Sequence, residues 1–343
     1  MFESNKQEKE SSKFTNFIKS NGITSLIVID EGGMPLIIRD YDNQLSKSET
    51  YKFGLLSAIT AFSQTMLVSY VSDFGLDNNK NRLFLKYYSG LVYVLVLDSE
   101  VITKQNYHSI RELVDIILWR LLIEFQKFYE NIYDDNNILN AYKMNDFYKI
   151  ADELIIDGIN DWKETKESTF LPSGVHFTGL QTESQTDLGS VQLQLLKQFG
   201  FQAIFFLDKE ANPLFFRVYH RNDLFKSNNS ALAQFIKGLS SFTEEMFISR
   251  LSDIGMYSQR IFLKDYRDKI IAIVLDEHHY QSKAIYQVEC FIDTLVQKLV
   301  DLFNSGGQEF AQFDSPQNWI KLFGSTADQI VLEACLKYSL KSN

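Results

Sequence analysis

The chain has few cysteines and prolines and no apolar segment long enough to cross a membrane. Among 343 residues there are two cysteines and four prolines. Cys290 and Cys335 are too few for a disulfide framework or a multi-cysteine metal site, which favours a reducing cytoplasm. The longest apolar runs, such as residues 91–97, are strand-sized and far below the roughly 20 residues of a membrane span. The first twelve residues are polar and lack the apolar core of a secretory signal, so we expect a cytoplasmic protein.

Motifs of nucleotide and hydrolytic enzymes are also missing. Neither the Gly-x-x-x-x-Gly-Lys-Ser/Thr phosphate loop nor the Gly-x-Gly-x-x-Gly dinucleotide fingerprint occurs. Gly-x-Ser-x-Gly and His-Glu-x-x-His are absent as well. The chain is therefore not itself a phosphate-loop GTPase or a Rossmann enzyme, and we expect no catalytic residue, no cofactor and no metal.

The composition is that of a folded, acidic protein. Hydrophobic residues make up 45% and aromatic residues 14%, and the net charge is −10. Such a chain is too apolar to be disordered, and its charge argues against nucleic acid as a partner. Residues 13–162 carry 14 basic and 20 acidic side chains, whereas residues 188–343 carry 16 and 17. The acidic cluster near the end of the first segment, which includes Asp152 and Asp161, is interpreted as a solvated face.

The strongest signal is an internal repeat. The segment GITSLIVIDEGGMPLIIRDY from Gly22 aligns with GFQAIFFLDKEANPLFFRVY from Gly200, and the match resumes twice downstream. Identical pairs include Asp30/Asp208, Pro35/Pro213, Arg39/Arg217, Tyr41/Tyr219, Met66/Met246, Asp73/Asp253 and Gly75/Gly255. We therefore divide the chain into copy 1 (residues 13–162), a Ser/Thr-rich linker (residues 163–187) and copy 2 (residues 188–343).

Each copy predicts the same series of elements. A short helix leads into a β-hairpin, whose loop begins with Asp and ends with Pro. An amphipathic central helix follows, with apolar residues at Leu55, Ile59, Phe62 and Met66 in copy 1 and at Phe235, Leu239, Phe242 and Met246 in copy 2. Gly75 and Gly255 are predicted to end these helices. Two more strands and two long helices, about 105–133 and 140–162 or 283–304 and 316–340, complete each copy.

This order of elements resembles that of the roadblock and longin superfamily, in particular its archaeal-type proteins. The resemblance extends to the first strand, which ends in Asp30 and is followed by Gly33 and Pro35-Leu36, and to the helix text Leu55-Leu56-x-Ala58-Ile59. The resemblance implies an α+β fold of two tandem domains, each an antiparallel sheet with helices on both faces. The additional C-terminal helices of each copy depart from the minimal pattern of the family.

The resemblance also implies a function. Such domains pair to form platforms for small GTPases of the Ras superfamily, some in vesicle trafficking, so we expect a non-enzymatic protein that binds and regulates one, including by promoting nucleotide exchange. Other roadblock or longin proteins, or a second copy of the chain, are further partners, and any membrane association would run through a partner. For the contact surface we predict Gln64, Ser69, Glu244 and Arg250, on the polar sides of the central helices. A small-molecule sensor with an aromatic pocket and a purely structural scaffold remain alternatives.

Three other groups of residues favour structural interpretations. The run Asp276-Glu277-His278-His279 follows a strand and is expected to be a solvated loop, because successive extended residues point to opposite faces. Cys290 and Cys335 lie in helical patterns and are expected to be buried. Arg39/Arg217 and Asp73/Asp253 are expected to hold elements together in each copy.

Overall fold

The computed structural model describes most of both copies. It covers residues 13–42, 56–58, 60–61, 71–76, 81–102, 107–129, 141–167, 188–208, 212–220, 229–247, 250–256, 258–266, 269–277, 279, 285–309 and 316–340.

The five strands and the two long C-terminal helices follow one another in the same order in the two copies. In copy 1 they are α1 (residues 13–20), β1 (Ile23–Ile29), β2 (Pro35–Asp40), β3 (Val71–Leu76), β4 (Asn81–Tyr88), β5 (Leu91–Asp98), α2 (Ser99–Ile102), α3 (Tyr107–Tyr129) and α4 (Ala141–Glu167). In copy 2 they are α5 (Ser190–Gln198), β6 (Phe201–Asp208), β7 (Pro213–Val218), α6 (Asn229–Phe247), β8 (Leu251–Met256), β9 (Gln259–Tyr266), β10 (Lys269–Asp276), α7 (Ile285–Glu309) and α8 (Pro316–Leu340). The fold is thus α+β, as predicted.

The described residues fall into two compact units. Unit 1 comprises Met1–Ala61 and Lys80–Thr178, and unit 2 comprises Phe62–Asn79 and Gly179–Asn343. In unit 1 the strand order is β2-β1-β5-β4, and in unit 2 it is β3-β8-β9-β10-β6-β7. Each described pairing is antiparallel. Strand β3, which belongs to copy 1 by sequence, therefore pairs with β8 inside unit 2.

The predicted hairpin loops are confirmed. The carboxylate of Asp30 accepts a hydrogen bond from the Met34 N–H at 2.7 Å, and the Gly33 N–H donates to the Asp30 carbonyl. Gly33 has a φ of +83°, a conformation that costs glycine little. In copy 2 the carboxylate of Asp208 accepts from the Asn212 N–H at the same distance. The loop aspartate therefore closes the turn in both hairpins.

The predicted helix ends at Gly75 and Gly255 are wrong. Both glycines lie inside strands, β3 and β8, which the sequence did not predict. The sequence did not predict strands here because VSDFGL and LSDIGM each contain an Asp and a Gly, residue types that are depleted in strands. Tertiary contacts to the buried Asp73 and Asp253 stabilise strands that their local sequence does not favour.

The long helices follow the prediction, with shifted ends. Helix α8 begins at Pro316 as predicted, and α4 continues to Glu167, five residues into the predicted linker. The apolar periodicity stops at Trp162, but Lys163 and Glu164 are good helix formers that extend the helix on its exposed side. Residues 168–187 lie outside the described residues. No described helix combines the length and the hydropathy needed to span a lipid bilayer.

Sheet register places the long C-terminal helices of unit 2 on one face of its sheet. Phe206 of β6 stacks on Phe303 of α7 and meets Phe323 of α8 edge-on. On β9, Lys264 forms an ion pair with Asp293 of α7 at 2.8 Å. Because side chains alternate along a strand, Asp265 must lie on the opposite face. In unit 1, Tyr93 of β5 contacts Phe125 of α3 in the same way, and Phe125 contacts Phe147 of α4.

The central helix of copy 2 forms as predicted over Asn229–Phe247, with Phe235 and Leu239 buried. The side chains of Phe242 and Met246 lie outside the described residues, as do Leu55, Ile59, Phe62 and Met66 of copy 1. Residues 56–58 and 60–61 are helical, and Leu56 is buried.

Candidate interaction surface and the buried charges beneath it

Two of the four predicted contact residues lie close to one acidic side chain. Glu244 is exposed on α6, and Arg250 is exposed directly before β8. The Arg250 Nε lies 3.5 Å from the Asp265 carboxylate of β9. Gln64 and Ser69 lie outside the described residues, so their part in the contact surface stays a prediction. We call Glu244, Arg250 and Asp265 the α6-face cluster.

Electrostatics link the three members of the α6-face cluster. Partial burial raises the pKa of Asp265 above its usual range. The positive charge of Arg250 opposes this rise in pKa, and the negative charge of Glu244 reinforces it. The cluster therefore presents an exposed guanidinium beside two carboxylates, which suits recognition of a partner with charges of both signs.

Asp265 itself was missed by sequence reasoning, although a signal for it exists. The strand text RLFLKYY in copy 1 becomes RIFLKDY in copy 2, so Asp265 stands where copy 1 has Tyr87. The Tyr87 hydroxyl lies 3.3 Å from the Glu31 carboxylate in unit 1. The α6-face cluster is therefore a property of copy 2 and not of the repeat as such.

Behind β8, on the opposite sheet face, one arginine holds three carboxylates in the protein interior. The Arg260 guanidinium donates to both oxygens of Asp73, at 2.9 and 3.0 Å, and to Glu277 at 3.1 Å. It also donates to Asp253. The side chains of Arg260, Asp73 and Glu277 have no exposed surface, and Asp253 is 3% exposed. We call these four residues the Arg260 cluster.

The Arg260 cluster explains the glycine of β8. The register pairs Asp73 with Gly255 and Gly75 with Asp253, so the aspartate of each copy faces the glycine of the other. A Cβ at Gly255 would lie 2.6 Å from the Arg260 Nη2 and 2.8 Å from the Asp73 Cγ. Only glycine leaves room for the guanidinium and the carboxylate to pass over the strand.

The expectation of a solvated loop after β10 is wrong for Glu277. Glu277 is completely buried and is paired with Arg260, and its N–H donates to the Ser258 carbonyl. His279 is exposed, with its Nδ1 3.7 Å from Asp276. His278 lies outside the described residues. Within the described part of the chain no three His, Cys, Asp or Glu side chains are grouped to hold a metal ion.

The other repeated arginines also form ion pairs, each with a buried aspartate and one in each unit. Arg39 of β2 binds Asp152 of α4 through two nitrogens, and the Tyr41 hydroxyl donates to the same carboxylate at 2.7 Å. Asp152 is 5% exposed, so its assignment to a solvated acidic face is wrong. The pairing ties the hairpin to the terminal helix, as expected for a structural contact.

Copy 2 repeats this arrangement with Arg217 of β7 and Asp328 of α8. Burial, followed by the negative charge of Asp328, raises the pKa of Tyr219 well above its usual range. Burial and the charge of Asp152 do the same to the pKa of Tyr41. Both tyrosines therefore remain protonated and neutral beside a carboxylate, and the Tyr41 hydroxyl donates to its carboxylate.

The two cysteines differ. Cys335 is buried, as expected, and burial raises the pKa of its thiol to about 12. Cys290 is exposed on α7, so the expectation that it is buried is wrong.

A groove of about 440 Å³ runs between α5 and α8 in unit 2. Its apolar lining comes from Leu188, Leu195, Leu332 and Leu336, and its polar lining includes Gln192 and Asp328. The sensor alternative requires an aromatic pocket between sheet and helix. This groove lies between two helices, and no aromatic side chain lines it in the described part of the chain.

Comparison with known proteins adds little. No protein-family model matches the chain, and no curated protein matches it. Among solved structures, a chain described as "MglB with tetrameric arrangement" is similar at 10% identity over 46% of this chain and 99% of that chain, with a TM-score of 0.19. A likeness this low does not establish a family, so membership of the roadblock and longin superfamily stays a prediction.

Proposed function

We propose that this protein is a non-enzymatic platform that binds a small GTPase of the Ras superfamily through the α6-face cluster and regulates its nucleotide state. The class of partner comes from the resemblance of the sequence to roadblock and longin domains. The choice of surface comes from the exposed charges of Glu244 and Arg250 around Asp265.

The observation that carries the platform proposal is the pairing of β3 with β8. Equivalent strands of the two copies pair, and the Arg260 cluster fastens them with four buried charged side chains. Hydrogen-bonded ion pairs of this kind fix one register, because any slip would leave a buried charge without its partner. A sheet held in one register suits a surface that must keep its shape when a partner binds.

Regulation of nucleotide exchange would need no catalytic residue of this chain. Binding at the α6-face cluster would favour a GTPase conformation that holds its nucleotide less tightly. The population of that conformation would then rise without any chemical step. The proposed role therefore requires that this protein bind one nucleotide state of the GTPase more tightly than the others.

The test measures binding of the full chain to the small GTPases of its host, each loaded with GDP, loaded with a GTP analogue or stripped of nucleotide. Biolayer interferometry gives the affinities, and release of a fluorescent GDP analogue gives the exchange rate. The charge reversal Arg250→Glu should weaken binding about tenfold or more and make the loss of binding with salt shallower, since it removes an attractive charge that salt screens.

Lys298→Glu is the matched control, since Lys298 is an exposed cation of α7 on the other sheet face and is paired with Glu333. It should leave binding unchanged. The proposal fails if no GTPase binds in any nucleotide state. The choice of surface fails if a GTPase binds but the two variants bind it equally.

A further inference from the structure

Unit 1 carries an apolar surface on the outside of its two long helices. On α3, Trp119 is 49% exposed and Ile123 is 39% exposed, and Ile116 beside them is half-buried. Their spacing of three and four residues places them on one face of the helix. On the neighbouring α4, Ile150 is 38% exposed. We call Ile116, Trp119, Ile123 and Ile150 the α3 apolar surface.

The fold itself does not require apolar residues at these positions. Buried residues of α3 and α4 align with those of α7 and α8 in copy 2, for example Leu121 with Leu299 and Phe147 with Phe323. At the four positions equivalent to the α3 apolar surface, copy 2 carries Thr294, Gln297, Asp301 and Thr326. There the Gln297 amide donates to Asp301, as on an ordinary solvated helix. Contiguous exposed apolar side chains commonly mark a binding surface.

Charges around the α3 apolar surface leave an excess of negative charge. Three cations beside it are paired with acids of α3 or α4, Lys86 with Asp115, Arg120 with Asp161 and Lys127 with Glu124. A fourth cation, Lys149, is exposed next to Ile150, and the exposed Asp146 lies three residues before it on α4. On α4, Glu153 and Asp157 are exposed and form no ion pair with another described residue. A partner that covers the apolar side chains would therefore gain from carrying positive charge.

We propose that the α3 apolar surface binds a basic amphipathic helix of a partner protein. Such a helix presents apolar anchors at positions i, i+3, i+4 and i+7, which match the length of a stripe that spans two turns of α3. Trp119 would be the main anchor, since exposed tryptophans dominate the binding energy of interfaces. Four side chains are a small part of the roughly 20–30 residues per side that a stable dimer needs, which argues against a second copy as the occupant.

This inference is independent of the proposed function, because the α6-face cluster belongs to unit 2 and the α3 apolar surface belongs to unit 1. Either site can fail its test without affecting the other.

The experiment titrates the full chain into a fluorescein-labelled peptide of Leu and Lys, about 14 residues or four turns long, with Leu at helical spacing. Fluorescence anisotropy reports binding. We expect binding by the native chain and a loss of about tenfold or more in affinity for the double variant Trp119→Gln, Ile123→Asp, which installs the residues of copy 2. Val191→Gln removes a side chain that is 78% exposed in unit 2 and should bind as the native chain does.

Two further peptides and one measurement of mass complete the test. A peptide of the same composition with alternating Leu and Lys has no helical apolar face, and a Leu/Glu peptide has the wrong charge, so both should bind at least tenfold more weakly. Circular dichroism checks that the double variant is folded. Equal binding of the double variant and the native chain, equal binding of all three peptides, or a native dimer by light scattering that the double variant abolishes would each overturn the proposal.

Discussion

Replacing Arg260 by methionine should destabilise the protein far more than replacing its neighbour Lys264. Arg260 is completely buried and donates to three carboxylates, whereas Lys264 is 28% exposed and pairs with an Asp293 that is 61% exposed. Both residues lie on β9 and face the same side of the sheet. The comparison therefore isolates the burial of the ion pairs.

The magnitude follows from what the substitution leaves behind. Methionine retains the volume of the arginine stem, but Asp73, Asp253 and Glu277 lose the guanidinium that solvates them. Removing one partner of a buried pair costs about 3–5 kcal/mol, and a surface pair contributes about 0–1 kcal/mol. Because the free energy of unfolding of a domain is only about 5–15 kcal/mol, Arg260→Met should remain folded without urea but lose a large part of that free energy.

Urea unfolding followed by circular dichroism measures both effects. With a slope of about 2 kcal/mol per molar, Arg260→Met should lower the transition midpoint by about 1.5–2.5 M and Lys264→Met by less than about 0.5 M. The deficit of Arg260→Met should shrink as the pH is lowered, because protonation removes the buried negative charges and the folded state then binds more protons than the unfolded state.

Arg260→Lys is an informative intermediate, since it keeps the charge but cannot donate from a planar fork to both oxygens of Asp73. The urea transition midpoint of Arg260→Lys should lie between those of the native protein and Arg260→Met. If Arg260→Met and Lys264→Met cost the same within 1 kcal/mol, the argument that the buried ion pairs hold β3 against β8 would be refuted.

Two further predictions concern glycine and cysteine. Gly255→Ala should cost about 1–3 kcal/mol in urea unfolding because its Cβ would meet the Arg260 side chain at 2.6 Å. Gly238→Ala, in a helix with no atom within 4 Å of the added Cβ, should instead stabilise by about 0.5–1 kcal/mol; the same sign for both would contradict the steric explanation. Ellman's reagent at pH 8 should modify one thiol in the native chain and two in denaturant, because the pKa of the Cys335 thiol is about 12 and Cys290 is exposed. Cys290→Ser should leave no reactive thiol in the native chain, and a reacting thiol there would show that Cys335 is accessible.

The candidate contact site was only partly accessible to sequence reasoning. Glu244 and Arg250 could be proposed because they are polar residues near a central helix. For Asp265 the only sequence signal is its difference from Tyr87 of copy 1, because what brings it to Glu244 and Arg250 is tertiary packing, which no local pattern encodes. The α3 apolar surface was equally hidden, since Trp119 and Ile123 resemble core residues until the helix is placed and its outer side is known.

What the sequence determined by itself is the repeat and the local elements. Periodicity, loop aspartates and Pro316 placed the hairpins, β4, β5, β9, β10 and the long helices within a few residues of the observed ends, because these elements are favoured by local patterns of burial and turn chemistry. Only the tertiary structure decided that Asp73, Asp253 and Glu277 are buried around one arginine, because the sequence predicts separate contacts within each copy for the two aspartates and a solvated loop for Glu277. A single guanidinium, brought to them by β9, makes burial of their charges favourable, and that interaction depends on residues up to 187 positions apart.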